Sequence, residues 1–330
     1  MKVPNRIIVT NRIHDEVAAR LAALGEIDLN ASDEALAGDA LMRKLGRATA
    51  MMGFMTDCVD RATLAQAPHL RIVACALKGF DSYDVDACTD AGVWVSIVPD
   101  LLTEPTAELA VGLAISLARQ IRSADAYVRE GSFAGWRPLF YGTGLADSIV
   151  TIVGLGKVGR AIAARLRGFG CRLLGVDPDH DAIEGVELAR LSEALKVSDY
   201  VFLAVPLAKP TYHLIGASEL RLAKPQSFWI NVGRGSVIDE DAMADCLAAG
   251  HIGGYAADVF AFEDWLLPGR PSTITRRLLD HPNTLFTPHI GSAVRRVRLA
   301  IEHRAADNIL AVLSGGEPPD AINRPRVNAR

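Results

Sequence analysis

Three residues in the second half of the chain are of types that can bind an anion and move a proton. Arg234 lies between two glycines, Glu263 follows a strand-like segment of small residues, and His289 lies in a Thr-Pro-His-Ile-Gly turn. Arginine presents a planar pair of donors to a carboxylate or a phosphorus oxyanion. A histidine beside a carboxylate is a general acid–base unit, because the carboxylate orients the imidazole. Taken singly, each residue also fits a structural role in a surface loop, a helix cap or a core.

A glycine-rich turn lies upstream of these residues. The apolar segment Ile149–Val153 runs into Gly154, Gly156 and Gly159, which have the G-x-G-x-x-G spacing, and then into a helical pattern. In dinucleotide-binding turns the first glycine permits the tight turn, the second lets the backbone approach a pyrophosphate, and the third lets the helix pack on the strand. The next strand ends at Asp177, where an acid that binds a ribose hydroxyl is expected. The turn therefore predicts a dinucleotide site.

The residues after Asp177 bear on which dinucleotide is bound. The segment 178–181 reads Pro-Asp-His-Asp and contains no arginine or lysine. A 2′-phosphate would meet negative charge there, so the sequence favours NAD over NADP. His180 weakens this argument when it is charged.

Two series of short apolar segments alternate with amphipathic ones, a pattern typical of parallel α/β sheets. The first series predicts strands at Ile7–Thr10, Glu26–Leu29, Ala50–Phe54, Arg71–Ala76 and Trp94–Val98, with helices at Asp15–Leu24 and Asp33–Arg47. The second predicts strands at Ile149–Val153, Arg172–Val176, Tyr200–Val205, Ser227–Asn231, Gly254–Asp258 and Thr284–Thr287. Long helical patterns cover Thr106 to about Glu130 and Ala293–Leu313.

Composition excludes several classes of protein. The 330 residues carry a net charge of −4, so no basic face for nucleic acid is expected, and the length suggests about two domains. The five scattered cysteines predict reduced thiols in the cytoplasm rather than a disulfide framework or a metal site. The amino terminus lacks a secretion signal, and no apolar stretch approaches the roughly 20 residues of a membrane span.

Four motifs in this order resemble the D-2-hydroxyacid dehydrogenase family over nearly the whole chain. They are GLGKVG at 154–159, NVGRGSVIDE at 231–240, AADVFAFE at 256–263 and TPHIG at 287–291. The resemblance implies two doubly wound parallel-sheet domains. These are a discontinuous, flavodoxin-like substrate domain (residues 1–100 and 293–330) and a Rossmann NAD-binding domain (101–292). It also implies a homodimer built largely on the cofactor domains.

The resemblance assigns roles to individual residues. Arg234 would bind and orient the substrate, His289 would be the acid–base, and Glu263 would pair with His289. The expected cofactor-binding residues are Thr106, Gly154, Gly156, Lys157, Val158, Gly159, Asp177, Pro206, Val232, Gly233, Asp258 and Gly291.

The predicted substrate depends on a loop in the first domain, Ala76-Leu-Lys-Gly-Phe-Asp81. Lys78 adds a fixed positive charge where hydroxyacid dehydrogenases usually offer only backbone donors. Segments around this loop resemble the phosphonate (phosphite) dehydrogenases within the family. That resemblance implies oxidation of phosphite, a small dianion, with Lys78, the Gly79 backbone and Arg234 holding its oxygens and Lys78 counted among the catalytic residues. Further pocket positions implied in the same way are Met55, Leu102, Trp136, Tyr141, Ser292 and Arg298.

Two alternatives stay open at this point. One is an ordinary NAD-dependent 2-hydroxyacid dehydrogenase of the glyoxylate or hydroxypyruvate type, because a fold does not fix its substrate. The other is an NAD-sensing protein similar to a corepressor, which would need partner-binding tails or an incomplete catalytic set.

Overall fold

A computed structural model describes residues 4–34, 36, 38–179 and 183–325 of the chain. It divides into two compact units. The first unit comprises the chain up to Leu102, the short segment Trp265–Pro268 and the chain from Ala293 onward, and the second comprises Thr103–Asp264 and Gly269–Ser292. The boundaries proposed from the sequence, after residues 100 and 292, differ from this division at residues 101–102 and 265–268.

The amino-terminal part of the first unit alternates strands and helices. Its elements are β1 (Arg6–Val9), α1 (Asp15–Ala22), β2 (Glu26–Leu29), α2 (Gly38–Leu45), β3 (Ala50–Gly53), α3 (Arg61–Ala65), β4 (Ile72–Cys75), α4 (Val85–Asp90) and β5 (Trp94–Ser96). The five strands form one parallel sheet in the order β2-β1-β3-β4-β5. Every residue of β3 and β4 is buried, because helices cover both faces of such a sheet. This strand order is the flavodoxin-like one.

The second unit holds a larger parallel sheet. Its elements are α5 (Thr103–Ala118), α6 (Ile121–Arg129), β6 (Ile149–Val153), α7 (Lys157–Leu166), β7 (Arg172–Val176), β8 (Glu187–Leu188), α8 (Leu191–Val197), β9 (Tyr200–Leu203), α9 (Ala217–Leu222), β10 (Phe228–Asn231), α10 (Glu240–Ala248), β11 (Gly254–Ala257), α11 (Arg276–Leu279) and β12 (Thr284–Phe286). The sheet order is β12-β11-β10-β9-β6-β7-β8, and the order reverses between β6 and β9. This is the Rossmann arrangement, whose ligands bind at that switch point. The predicted fold class, two doubly wound parallel-sheet domains, is confirmed.

The last helix of the chain, α12 (Arg295–Leu313), returns to the first unit. Its buried residues Val297, Ile301, Ala305 and Ile309 recur every four positions and pack in one core with β1, β3 and β4. A four-residue spacing places side chains on one helix face. The first unit is therefore built from both ends of the chain.

Two predicted helices differ from the structure. The pattern from Thr106 to Glu130 forms two helices, separated at Gln120, whose backbone is left-handed (φ 51°). The carbonyl of Ala118 accepts the N–H of Thr143, so a distant segment competes with continuation of the helix. The helix predicted from Asp33 begins at Gly38, because Asn30 accepts the N–H of Ser32 in a local turn before it.

The described residues include no helix long and apolar enough to cross a membrane. All five cysteines carry free thiols.

One carboxyl is buried in the first unit without full hydrogen bonding. Asp57 is 1% exposed, and its Oδ2 accepts the Phe54 N–H (2.7 Å) and the Thr10 hydroxyl. Its Oδ1 has no hydrogen-bond partner within the part of the chain that the structure describes. Burial raises the pKa of Asp57 from 3.8 to about 6, against the lowering effect of those two hydrogen bonds.

This carboxyl gives a stability prediction. Because its pKa is higher in the folded chain, the protonated form contributes stability that is present below about pH 4 and is lost as the pH rises through about 6. The free energy of unfolding of Asp57→Asn, relative to that of the wild type, should therefore increase by on the order of 3 kcal/mol between pH 4 and pH 7. Urea-unfolding midpoints at four pH values measure the difference. A difference that does not change with pH would contradict the assignment.

Candidate active site

The glycine turn between β6 and α7 has the geometry that its sequence predicted. Gly154 has a φ of +93°, and a Cβ there would lie 2.7 Å from Val205 Cγ1. A Cβ on Gly159 would lie 1.9 Å from the Gly154 carbonyl oxygen. A Cβ on Gly156, in contrast, would meet no described atom within 4 Å. The protein therefore needs Gly154 and Gly159 for its own packing, whereas Gly156 leaves open space before the amino terminus of α7.

Asp177 stands at the end of β7, beside this turn. Its Oδ2 accepts the N–H of Leu155 at 2.7 Å, and its Oδ1 accepts the N–H of Asp179 at 2.9 Å. Lys157 and Val158 form the first turn of α7. The chain is therefore shaped to receive a dinucleotide, whose phosphates a helix amino terminus attracts. His180 and Asp181, which entered the prediction of NAD over NADP, lie outside the described residues.

Other predicted cofactor residues meet at the carboxyl ends of β9, β10 and β11. A Cβ on Gly233 would lie 2.6 Å from the carbonyl oxygen of Val205. A Cβ on Gly291 would lie 3.0 Å from Thr106 Oγ1 and 3.1 Å from Asp258 Oδ2. Two further predicted cofactor residues are adjacent in the chain: Pro206 follows Val205, and Val232 precedes Gly233. These close approaches place the residues along the carboxyl-terminal edge of the sheet, although binding of the cofactor by each of them stays a prediction.

His289 and Glu263 form a side-chain pair. His289 Nδ1 lies 2.8 Å from Glu263 Oε2, and the two side chains are 25% and 20% exposed. His289 has a left-handed backbone (φ 55°), which is uncommon for a residue with a side chain. With Nδ1 bonded to the carboxylate, Nε2 is the ring nitrogen left for a substrate. The pair has the geometry of an oriented acid–base group.

Asp258 holds the turn that carries His289. Its Oδ1 accepts the Thr287 hydroxyl (2.6 Å) and the Ile290 N–H (2.7 Å), and its Oδ2 accepts the Gly291 N–H (2.8 Å). Burial raises the pKa of Asp258, and the same hydrogen bonds oppose that rise. The sequence assigned Asp258 only to the cofactor. Its support of the histidine turn was missed, because nothing in the sequence shows which backbone N–H groups an acid will accept.

The Arg234 loop is fixed by Asn231, which is fully buried at the end of β10. Asn231 Nδ2 donates to the Arg234 carbonyl (2.9 Å), and its Oδ1 accepts the Gly233 N–H (3.1 Å). The Arg234 guanidinium donates to the Gly233 carbonyl at 2.8 Å. One amide side chain thus spans the loop on both sides of the arginine, so the backbone that carries the guanidinium is held in place.

In the first unit, the predicted substrate residues follow the carboxyl ends of β3 and β4. Lys78 and Gly79 follow β4 and are half-buried. Met55 follows β3 and is also half-buried, and its carbonyl accepts the indole N–H of Trp265 (Nε1) at 2.9 Å. Arg298, on α12, donates to the Ala76 carbonyl at 3.3 Å. The guanidinium carbon of Arg298 lies 5.8 Å from the centre of the Phe54 ring, and burial lowers the pKa of Arg298. This edge of the first unit therefore carries two cationic side chains.

Four predicted pocket residues have a different placement. Leu102 and Ser292 are half-buried next to the boundaries between the units. Trp136 and Tyr141 are 82% and 75% exposed in the segment after α6. Tyr141 lines a cavity of about 300 Å³ with Phe228, Gly253 and Thr284, at the amino-terminal ends of β10, β11 and β12. The second unit therefore places Tyr141 at the sheet edge opposite Arg234 and His289. A pocket role for these residues stays a prediction.

The chain is similar to known proteins over most of its length. The family model of the D-isomer specific 2-hydroxyacid dehydrogenase, NAD binding domain, matches residues 111–291. A glyoxylate reductase from Thermococcus litoralis is 35% identical over 328 residues, covering 97% of both chains. The TT0316 protein from Thermus thermophilus has a similar structure (TM-score 0.87, 31% identity, 96% of this chain and 100% of that one). The NADPH-dependent glyoxylate/hydroxypyruvate reductase from Sinorhizobium meliloti also has a similar structure, with a TM-score of 0.83 and 28% identity over 96% of this chain and 97% of that one.

The chain belongs to the D-isomer specific 2-hydroxyacid dehydrogenase family, and its second unit is an NAD-binding domain. It is an NAD-dependent oxidoreductase, and the corepressor alternative stays untested. The resemblance to the family is confirmed. Oxidation of phosphite finds no support in these relatives, and the alternative of a glyoxylate-type 2-hydroxyacid dehydrogenase agrees with them better.

The glycine turn gives a paired prediction. Gly156→Ala should weaken NADH binding about tenfold or more, because its Cβ would enter the open space that the pyrophosphate is expected to fill. It should leave the melting temperature within about 2 °C, because that Cβ meets no described protein atom within 4 Å. Gly159→Ala should instead lower the melting temperature by about 5 °C or more, because its Cβ overlaps a backbone oxygen. Fluorescence titration with NADH and differential scanning fluorimetry measure the two effects. Equal losses of stability in both variants would refute the distinction.

Proposed function

We propose that this protein is an NAD-dependent 2-hydroxyacid dehydrogenase of the glyoxylate reductase type. The observation that carries the proposal is the His289–Glu263 pair, at 2.8 Å, in a domain with the dinucleotide turn. The names of its relatives support glyoxylate as the substrate.

The reaction is glyoxylate plus NADH and a proton giving glycolate and NAD. The nicotinamide, when bound, supplies the hydride. Arg234 binds the carboxylate of the substrate, since a guanidinium offers it two parallel donors. Nε2 of His289 gives its proton to the carbonyl oxygen, and Glu263 stabilises the charged imidazole before that transfer. In the reverse direction the neutral imidazole takes the hydroxyl proton of glycolate.

A second candidate substrate is phosphite, favoured by the cationic residues of the first unit. Lys78 follows β4, and Arg298 bonds to the Ala76 carbonyl two residues before it. A dianion in a partly dry site needs more positive charge than a monoanionic keto acid does. The balanced reaction is hydrogen phosphite dianion, NAD and water giving hydrogen phosphate dianion, NADH and a proton. His289 would take the proton of the attacking water. Binding of the phosphite oxygens by Lys78, the Gly79 backbone and Arg234 stays the prediction made from the sequence.

We further propose that NAD is preferred over NADP. Asp177 places its carboxylate at the end of β7, and Asp179 follows two residues later. A 2′-phosphate brought to this point would be repelled.

The substrate prediction uses Lys78. Wild-type protein should reduce glyoxylate with NADH, and Lys78→Ala should retain that activity within about fivefold, because a monoanion needs only the guanidinium and backbone donors. If phosphite is the substrate, the wild type forms NADH from NAD and phosphite. Lys78→Ala then loses about 100-fold or more in kcat/KM, while Lys78→Arg retains part of the activity. Absorbance at the NADH band follows both reactions. Protein that binds NADH and turns over neither anion would contradict both assignments.

We also propose a homodimer built on the NAD-binding domains. None of the nine residues of α6 is buried, although Ile121, Ala124 and Val128 share one face of the helix, and Ile121 and Val128 are 47% and 55% exposed. The segment that follows adds exposed Phe133 and Trp136. An apolar surface of this kind is typical of an interface, and a second copy of this chain is the partner we propose.

The dimer prediction follows from that helix face. The double variant Ile121→Asp, Val128→Asp should sediment near the 35.4 kDa of one chain, whereas the wild type should sediment at about twice that mass. Ala126→Asp is the matched control, since Ala126 is exposed on the opposite side of α6. Sedimentation of the wild type as a monomer would overturn the proposal.

A further inference from the structure

Three buried acids of the second unit take no part in the substrate binding or proton transfer proposed above. Their exposed fractions are only 2% for Asp258, 3% for Asp264 and 9% for Glu240. Because carboxylates are rarely buried without partners, the groups that these acids bind are of interest. Asp258 holds the histidine turn, as described above. Glu240 and Asp264 lie at the ends of the other two segments, those of Arg234 and Glu263.

The segments that carry Arg234 and Glu263 touch backbone to backbone. A Cβ on Gly235 would lie 1.8 Å from the carbonyl carbon of Phe260 and 2.0 Å from the nitrogen of Ala261. Each segment forms one turn of 3-10 helix at this contact, Gly235–Val237 in one and Ala261–Glu263 in the other. Such an approach is open only to glycine, so the spacing of the two segments is set where they meet.

Each segment places an acid on the backbone of the other. Asp264 Oδ2 accepts the N–H of Ser236 at 2.8 Å, and both residues are buried. Glu240 Oε1 accepts the N–H of Ala261 at 2.8 Å. Glu240 is itself fixed as the first residue of α10, whose N-cap, Asp239, accepts the N–H groups of Asp241 and Ala242. The two bonds cross between the segments in opposite directions, so neither segment can shift without breaking one of them.

These bonds are of a strong type, since an acid that accepts a backbone N–H in a buried place is poorly replaced by water. Burial raises the pKa of Glu240, and the Ala261 N–H opposes that rise. A buried acid that costs free energy and touches no ligand needs another reason to be there. Stability alone would be served as well by an apolar contact.

We propose that Asp264 and Glu240 are positioning residues, which together fix Arg234 relative to the Glu263–His289 pair. Asp264 acts on Arg234 through the N–H of Ser236, two residues along the chain. Glu240 acts on Glu263 through the N–H of Ala261, also two residues away. The inference deepens the proposed function and rests on it only in requiring a small anionic substrate.

The test separates the two acids by their kinetic effects. Asp264→Ala should raise KM for glyoxylate, or for phosphite if that is the substrate, about tenfold or more, because the displaced guanidinium binds the anion less well. Glu240→Ala should lower kcat about tenfold. The reason is that a displaced Glu263 no longer orients the imidazole. Asp264→Asn and Glu240→Gln keep an acceptor oxygen and should restore most of each loss.

Asp199→Ala is the matched control. Asp199 also accepts a backbone N–H, that of Ile149 at 2.9 Å, but at the amino-terminal end of the sheet, away from Arg234 and His289. This variant should lose stability and keep the KM and kcat of the wild type. NADH affinity should stay within about twofold in all variants, because the backbone N–H groups that Asp264, Glu240 and Asp199 accept all lie outside the glycine turn.

Kinetic constants of Asp264→Ala and Glu240→Ala that match those of Asp199→Ala would overturn the proposal and leave a purely structural role. If an alanine variant does not fold, its Asn or Gln counterpart is compared with the wild type, and unchanged constants there count against the proposal in the same way. If the wild type turns over neither anion, the proposed function fails first. Positioning is then tested by calorimetry of oxalate binding to the NADH complex, where Asp264→Ala should weaken oxalate about tenfold.

Discussion

The parallel direction of β6, β9, β10, β11 and β12 is the constraint on which the second unit depends. Because all five strands run the same way, the segments after them emerge at one edge of the sheet. Four such segments carry Gly154, Arg234, Glu263 and His289, and the first and last of these residues are more than a hundred positions apart in the sequence. Neighbouring strands lie under 5 Å apart, so the segments that follow them must pack backbone against backbone. Glycines at 233 and 235 make that packing possible.

Close packing of loops buries N–H groups that no strand or helix can satisfy. Asp258, Asp264 and Glu240 accept these N–H groups, and Asn231 does the same within the Arg234 loop. Buried carboxylates cost free energy, and so does the left-handed backbone of His289. Both costs occur at the edge of the sheet that carries the proposed site. A rigid arrangement of charged groups is what stabilises charge in a transition state, because little reorganisation is then needed.

The sequence predicted those features whose geometry depends only on the residues of one short segment, such as the dinucleotide turn. The strand, three glycines, helix and Asp177 follow in a fixed spacing, and Gly154 and Gly159 are required by local geometry. The break at Gln120 could not be predicted in this way, since it depends on Thr143, which competes for the Ala118 carbonyl from 25 residues downstream. The return of Trp265–Pro268 to the first unit depends in the same way on a distant partner, the Met55 carbonyl.

The sequence by itself determined the alternation of strands and helices and the dinucleotide turn, because these depend on residue type and on spacing along one segment. It also proposed Arg234, Glu263 and His289 as site residues, through the order of the motifs that contain them. Only the tertiary structure decided that His289 Nδ1 meets Glu263, that Asp258 holds the histidine turn, and that Asp264 and Glu240 join the Arg234 and Glu263 segments. The physical reason is that a carboxylate can accept any donor within reach. Which donor that is depends on the register of neighbouring strands, and a single segment does not contain that information.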